Sequence, residues 1–497
     1  MLNQRIHASG ASLGAEAVVR YWGRKSKELA AFYIRRYTKS DQIVADFFGG
    51  TGIFAKSALE LGRRAIYVDL NPFAYLIAKT TIVPCDVGKF VRASAVVLSN
   101  SKVRFKKNKK LQSERSRFYS LRCKCGNAVE VSSILYGRRY SKIRQGGPSL
   151  SGLKRSVLRS IAARNGITHE GLLSLHPELS TQVLSWAVGW LVKKRFVKEK
   201  EFAIAARFAS PCISCGRHGI ALRGTEGWIV GGNVKPAYWY PDEGLNYDDG
   251  TRFLKRRDVR RISELFTARN LAALASLWHD VEKVRVEGSV KNCLRLAFMA
   301  TLVRSSKMCR DEGGTWPVNS YWIPRTYLVR NPYVVFRNAV DRMARMLRKQ
   351  HKIRPGSPRD IIHGRSEVCL LLADSTKLRL PKNSVDYVIV DPPHTDEAQF
   401  FELSQFYTSW LKRRLDFKNE LIINKKQGKD IQTYLRMLKN ASQRVYDSLK
   451  YDGHYTMVLH DSNRNFLHNC RDVVKSVGFK FLTEDLVDGY TICTFRK

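Results

Sequence analysis

An α/β fold divided by a large insertion is predicted for this chain of 497 residues, on three observations. A strand–helix–strand pattern stands near the start, and strand–helix alternation resumes beyond residue 365. Between them lies a basic, cysteine-bearing stretch followed by long helical segments.

The stretch DQIVADFFGGTGIFAKSALELGRRAIYVDL reads as an apolar strand ending at Asp46, a glycine turn, an amphipathic helix through Leu61, and a second strand from Ala65 to Val68 ending at Asp69. That is a βαβ unit. Upstream, YWGRKSKELAAFYIRRYT is helical by the spacing of Leu29, Phe32 and Ile34, and it is expected to pack on the same sheet. From 101 to 160 there are 17 Lys or Arg against two acids, Glu114 and Glu130, which marks a boundary and a basic surface. Next come a helix, a turn at Asn165-Gly166, a helix begun by Thr168, a turn at Pro177, a third helix capped by Ser180, and a β-hairpin around 196 to 207. This order is that of a winged helix. Segments 258–283, 289–309 and 332–350 read as long helices, with an aromatic, proline-bearing loop between the last two. The domain boundaries expected are therefore 1–100, 101–230, 231–355 and 356–497, the first and last forming one split domain.

Lys and Arg number 86 against 44 Asp and Glu, a formal charge of +42 that attracts a polyanion and makes nucleic acid the leading partner class. The amino terminus lacks the apolar core of a secretion signal, and no run approaches a membrane span, so a cytoplasmic protein without membrane contact is expected. Ten cysteines, six of them isolated, do not make a disulfide framework. Only Cys123/Cys125 and Cys212/Cys215 are paired in sequence; these four thiolates are candidate ligands of a structural zinc ion, although Cys-x-Cys is tighter than the usual knuckle and 86 residues separate the pairs. Four buried thiols in a small β element is the alternative.

The glycines at 49, 50 and 52 lie where strand passes to helix, so backbone N–H groups can approach a ligand closely. GTGIFAKS, residues 50–57, nearly fits a phosphate-binding loop, but Ala55 stands at its second glycine and Asp69 suits a ribose diol better than a phosphate. Asp374 in LLADSTKLRLP ends a third apolar strand, and VDYVIVDPPH ends a fourth at Asp391. Four strand-end acids define a crevice at the carboxyl edge of the sheet. Pro392 and Pro393 remove two backbone donors, leaving carbonyls to accept. Asp391 and the Pro392 carbonyl could take both N–H groups of an exocyclic base amine, and the ring of His394 could stack on a base out of its helix.

These motifs resemble those of amino-group DNA methyltransferases: DFFGGTG is similar to their S-adenosylmethionine motif, YVDLNPFA to the second cofactor motif, DPPH to the Asp-Pro-Pro-aromatic catalytic motif, and YWGRKSKELAAFYI to the cofactor-flanking amino-terminal motif. The resemblance implies a Rossmann-like S-adenosylmethionine-dependent fold, split by an insertion that carries a zinc ribbon, a winged helix and further helices. It assigns Phe48, Gly50 and Gly52 to the methionine side, with Asp46 and Asn71 in the same cofactor set. Asp69 is assigned to the ribose, Asp374 to the adenine amine, and Lys25 to the flanking motif. Asp391, Pro392, Pro393 and His394 form the catalytic set. The motif order resembles the α-ordered group, and FTARNLAALASL, YWIP and DPPHTDEAQFFELSQFYTSWL resemble its prokaryotic branch with a zinc ribbon. His394 departs from the usual Tyr or Phe. The reaction implied is methylation of a base in double-stranded DNA, adenine N6 ahead of cytosine N4 because the motif begins with Asp. Restriction or defence proteins are candidate partners, and a nucleoid-associated place in a prokaryotic cytoplasm follows. Oligomeric state is not legible. An RNA base methyltransferase and a non-catalytic DNA-binding protein on the same scaffold are the rivals. Within the winged unit, Ser180, Thr181, Gln182 and Ser185 are expected to face a major groove, and Trp186, Trp190 and Leu191 to be core.

Overall fold

The computed structural model describes residues 18–19, 21–23, 25–107, 120–122, 125, 128–143, 152–164, 166–211, 214–215, 220–221, 235–253, 259–310, 321–393 and 398–497. The first part of the chain forms α1 (Lys27–Tyr37), β1 (Ile43–Asp46), α2 (Ile53–Glu60), β2 (Arg64–Asp69) and α3 (Pro72–Ile82). Helix ends follow their caps: Ser26 accepts from the Leu29 N–H at the start of α1, and Asn71 accepts from the Phe73 N–H ahead of Pro72 at the start of α3.

The middle of the chain forms α4 (Val87–Lys107), β3 (Ser120–Arg122), β4 (Ala128–Lys142), α5 (Gly152–Ala163), β5 (Ile167–Thr168), α6 (His169–Leu175), α7 (Thr181–Lys193), β6 (Val197–Phe208) and β7 (Ile220–Ala221). It continues through α8 (Ala268–Lys283), α9 (Gly288–Leu302), β8 (Tyr327–Arg330) and α10 (Pro332–Leu347). The last part forms α11 (Pro358–Ile362), β9 (Val368–Leu372), β10 (Val385–Val390), α12 (Phe400–Thr408), α13 (Ile431–Ser448), β11 (Leu449–Leu459), α14 (Arg464–Ser476), β12 (Lys480–Val487) and β13 (Tyr490–Arg496).

Seven strands make one sheet in the order β12-β13-β11-β10-β1-β2-β9. Strand β13 is antiparallel to both its neighbours, and the other pairs are parallel. From β1 the chain moves outward to β2 and, after the insertion, to β9; it then returns to the other side of β1 as β10 and continues to β11. Such a reversal opens a crevice at the carboxyl ends of the strands. Both faces of the sheet are covered: Ile43, Ala45, Ile66 and Val68 pack in one cluster with α13 and α14, whereas Val44, Ala65 and Tyr67 pack in another with α1 and α2. Near-continuous apolar strands are what a sheet buried on both faces requires.

A third and larger core joins the insertion to this domain. It gathers Phe73 of α3, Leu274 and Trp278 of α8, Phe298 of α9, Met343 of α10 and Phe406 of α12, and within it the fully buried Trp410 meets the rings of Trp278 and Phe298. Polar contacts reinforce the junction: Asn424 donates to the Tyr247 hydroxyl at 2.9 Å, and Tyr247 in turn donates to Glu402.

The insertion carries a second sheet in the order β3-β4-β6-β7, with β5 and β8 also paired to β4. Helices α5, α6 and α7 appear in the expected order, α6 capped by Thr168 and α7 by Ser180. The hairpin expected around 196 to 207 is instead the single strand β6, antiparallel to β4 from Val197↔Lys142 to Phe208↔Val131. Its sequence, VKEKEFAIAARF, has no glycine, asparagine or proline to turn the chain, and β4 offers a long partner from before the helices. The three long helices are shorter than expected, α10 by three residues and the other two by more. Thr267 caps α8 and places its start ten residues after the expected 258, and α9 gives way to a 3-10 turn at Val303–Ser305. Trp186, expected in the core, is 57% exposed with the Lys154 ammonium 4.6 Å from its ring centroid, while Leu191 is fully buried. Phe32 of α1 is likewise exposed.

Candidate functional site

The carboxyl ends of β10, β1, β2 and β9 stand side by side, and Asp391, Asp46, Asp69 and Asp374 all line one crevice there of about 990 Å³, open solvent included. Phe48, Gly50, Asn71, Lys25, Pro392 and Pro393 line it too. Sequence spacing alone cannot bring Asp391 beside Asp46, 345 positions away; the parallel register Val44↔Tyr387 and Ala45↔Val388 does so.

Between β1 and α2 the chain turns in the left-handed region at Gly50 (φ +51°) and Gly52 (φ +83°). A Cβ at Gly52 would meet Ile82 Cδ1 at 3.0 Å and Ala78 Cβ at 3.2 Å, so this glycine lets α2 pack on α3 and does not line the crevice. Gly50 faces open space; its N–H donates to Asp69 Oδ2 at 2.7 Å and its carbonyl accepts from the Tyr67 hydroxyl at 2.8 Å. The loop is therefore held rigid while its backbone stays accessible.

Asp69 also accepts from the Asn71 N–H at 2.7 Å through Oδ1. Burial nevertheless outweighs these hydrogen bonds and pushes its carboxyl up to about 6. Asp46 is more extreme. It is 1% exposed, and burial, reinforced by Asp69 and Asp391 and opposed by the Phe48 N–H at 3.1 Å, drives its carboxyl well above the usual range. Its Oδ2 is buried without a hydrogen-bond partner among the described residues. A buried acceptor of that kind calls for a donor, and a bound ligand can provide one. Asp374 accepts from the Thr376 N–H and hydroxyl at 2.9 and 2.7 Å and pairs with Lys377 at 3.1 Å.

Lys25, immediately before α1, is 7% exposed; its ammonium lies 2.7 Å from Asp391 Oδ2 and 4.5 Å from the centroid of the Tyr490 ring. A buried cation against the strand-end acid balances part of the negative charge of the crevice. The Pro393 carbonyl accepts from the Tyr434 hydroxyl at 3.0 Å, which ties the double-proline turn to α13. The Asn71 amide donates to Ser404 at 2.7 Å and to the Tyr21 hydroxyl at 3.3 Å, tying α12 and Tyr21 to the end of β2.

His394, Cys123 and Cys212 lie outside the described residues. Cys125 and Cys215 are described and exposed, and no group of three or more His, Cys, Asp or Glu among the described residues is arranged to hold a metal. On α7, Gln182 is exposed, but Ser185, expected to face outward, accepts from Arg325 Nε at 3.0 Å and packs between α7 and the approach to β8.

Several wall residues escaped the sequence reading. Glu420 is buried at the crevice and accepts from the Phe401 N–H at 3.1 Å; burial raises its carboxyl and Lys429 opposes the rise. Phe400 stacks on Tyr21 at 6.1 Å between centroids. The only signal for Tyr21 was its place in the YWGRK stretch; Glu420 carried none, because its surroundings come from α12 and not from its own neighbours in sequence.

Residues 9–80 match the model of the N6/N4 DNA methylase family. Among curated proteins, none matches the chain. Solved structures with partial likeness include a candidate exported protein from Bordetella parapertussis (10% identity, TM-score 0.17, 26% of this chain and 44% of that one). Another is a candidate DNA modification methylase from Thermus thermophilus (14%, 0.16, 30% and 53%). A third is an S-adenosylmethionine-dependent methyltransferase from Mesorhizobium loti (9%, 0.15, 27% and 71%). The chain thus spans about half the length of the first two. The family match coincides with α1, β1, the glycine loop, β2 and most of α3, the elements that build one wall of the crevice, and over that stretch the chain is similar to DNA methylases.

Proposed function

We propose that the chain is an S-adenosylmethionine-dependent methyltransferase acting on the exocyclic amine of a base in double-stranded DNA, adenine N6 in preference to cytosine N4. The observation that carries this reading is the convergence of Asp391, Asp46 and Asp69 with the accessible Gly50 backbone in one crevice, beside a turn stripped of N–H donors at Pro392 and Pro393. The residues fit the cofactor: Asp69 would accept from the ribose hydroxyls, Asp374 from the adenine amine, and Asp46 with its partnerless Oδ2 stands ready for a donor. Phe48 and Gly50 would flank the methionine side. Bound there, S-adenosylmethionine supplies an electrophilic methyl group on a sulfonium.

The chain's own part is orientation. Asp391 and the Pro392 carbonyl would accept the two amine N–H groups, turning the nitrogen lone pair out of ring conjugation, and Tyr434 keeps the turn in place for this. His394 would stack on the extruded base. The formal charge of +42 supports a polyanionic substrate, and the insertion, residues 101–355, is the part we assign to target recognition. Cys123, Cys125, Cys212 and Cys215 would hold one structural zinc ion, which elemental analysis of protein prepared without chelator tests directly.

Calorimetry with S-adenosylmethionine, followed by transfer of labelled methyl groups to DNA and RNA in parallel, tests the proposal. Cofactor binding and labelled DNA amines are expected. Labelled RNA with unlabelled DNA would make it an RNA enzyme, and failure to bind the cofactor would leave a DNA-binding scaffold.

A further inference from the structure

A second cleft lies on the insertion, away from the crevice lining, and it is built from arginines. In the register of the second sheet, Ser133 of β4 stands opposite Arg207 of β6 on one side and Arg330 of β8 on the other. Side chains directly opposite one another in antiparallel strands share a face, so the two guanidiniums flank the serine in one row. Arg342 and Asn338 of α10, and Arg304 of the 3-10 turn after α9, close the cleft from the other side. Four arginines from four elements thus line one cavity together with Ser132 and Ser133.

Like charge bears on Arg342 in particular. Burial disfavours the charge on Arg342, and Arg304 and Arg345 add to that effect, with Asp341 opposing it. An arginine cannot relieve the strain by losing its proton. An anion entering the cleft relieves it, and a planar fork of donors matches phosphate oxygens in particular. The basic surface does not stop at the cavity: Arg345, Arg348 and Lys349 continue it, exposed, toward the carboxyl end of α10. An extended track suits a polymer of phosphates better than a single small anion.

We propose that the Arg207, Arg304, Arg330 and Arg342 cleft binds the phosphodiester backbone of the DNA whose base enters the crevice; the proposal rests on the methyltransferase reading above.

The test uses the full chain and a labelled DNA duplex, with binding followed by fluorescence anisotropy across a salt series. Each phosphate contact contributes about 0.9 to the slope of log affinity against log salt. Arg207→Gln with Arg342→Gln is expected to lower that slope by roughly 2 for two contacts and to weaken binding on every sequence alike. Lys439→Gln, at an exposed position of α13, is expected to leave the slope at the wild-type value. Retained cofactor binding and melting temperature show that the double variant is folded; if it is not, Arg207→Glu alone, at an exposed position, decides by the same slope. A wild-type slope in the folded variant overturns the cleft. So does inorganic phosphate that binds the wild type, is lost in the variant, and leaves the DNA slope unchanged, since the cleft would then hold a small anion. If the wild-type protein methylates DNA but the variant keeps its slope, only the cleft assignment fails; if the wild type neither binds nor methylates DNA, the methyltransferase reading fails with it.

Discussion

The two sheets of this molecule carry opposite charge in their cavities. At the carboxyl edge of the seven-stranded sheet, four aspartates share a crevice and one buried lysine, Lys25, answers them. On the insertion's sheet, four arginines share a cleft edged by serines. The comparison teaches a segregation of chemistry: acceptors are gathered at the carboxyl edge of one sheet and donors in the cleft of the other, which under the proposed function divides amine and ribose from phosphates. Placing both on one surface would let the two sets neutralise each other.

The largest expected effect tests the acidic side. Asp391→Ala is expected to cost on the order of 10³-fold in methyl transfer, the scale on which loss of an oriented polar group at a reacting centre is felt. Cofactor binding, read by calorimetry, should survive. Retained transfer would move the chemistry away from the double-proline turn.

Next in size is a contrast within α7. Leu191→Ala is expected to destabilise the insertion by about 2–5 kcal/mol, because the side chain is fully buried among Val157, Leu184 and Val188. Trp186→Ala, on the exposed face of the same helix, should cost only about 1 kcal/mol, the scale of its Lys154 contact. Chemical denaturation of both variants checks the pair, and equal losses would mean that Trp186 is covered in solution.

Asp69→Ala is expected to weaken cofactor binding by about 1–3 kcal/mol through lost hydrogen bonds. The pH dependence is sharper. The charged carboxylate is the form that accepts from ribose hydroxyls, so affinity should rise as pH climbs through about 6. Stability of the ligand-free protein should run the other way. Burial raises the folded pKa above the unfolded one, so the native state holds more protons between the ordinary aspartate range and about 6, and stability falls as pH rises across that window. Asp69→Asn should flatten both trends, and calorimetry at several pH values reads the first.

A further contrast concerns target choice. Gln182→Ala, exposed at the start of α7, should reduce discrimination between preferred and other sites by about 1–3 kcal/mol while non-specific binding stays intact. Ser185, bonded to Arg325, is not expected to read bases, so Ser185→Ala should disturb the α7 packing and leave preference unchanged. Competition binding with site variants tells the two apart.

Local pattern carried the core of the site. Apolar runs ending in Asp46, Asp69 and Asp391, the glycines at 50 and 52, and the prolines at 392 and 393 are each legible within a few residues, because strand periodicity and turn chemistry are short-range properties. The caps Thr168 and Ser180 were legible for the same reason. What tertiary structure alone decided is who meets whom. It set Lys25 against Asp391, brought Glu420 to the wall through the Phe401 backbone, paired β6 with β4 where a hairpin was expected, and aligned Arg207 with Arg330 across Ser133. Each of these joins residues far apart in the chain, and the free energy that selects them comes from burying whole elements together, a quantity no short window of sequence contains.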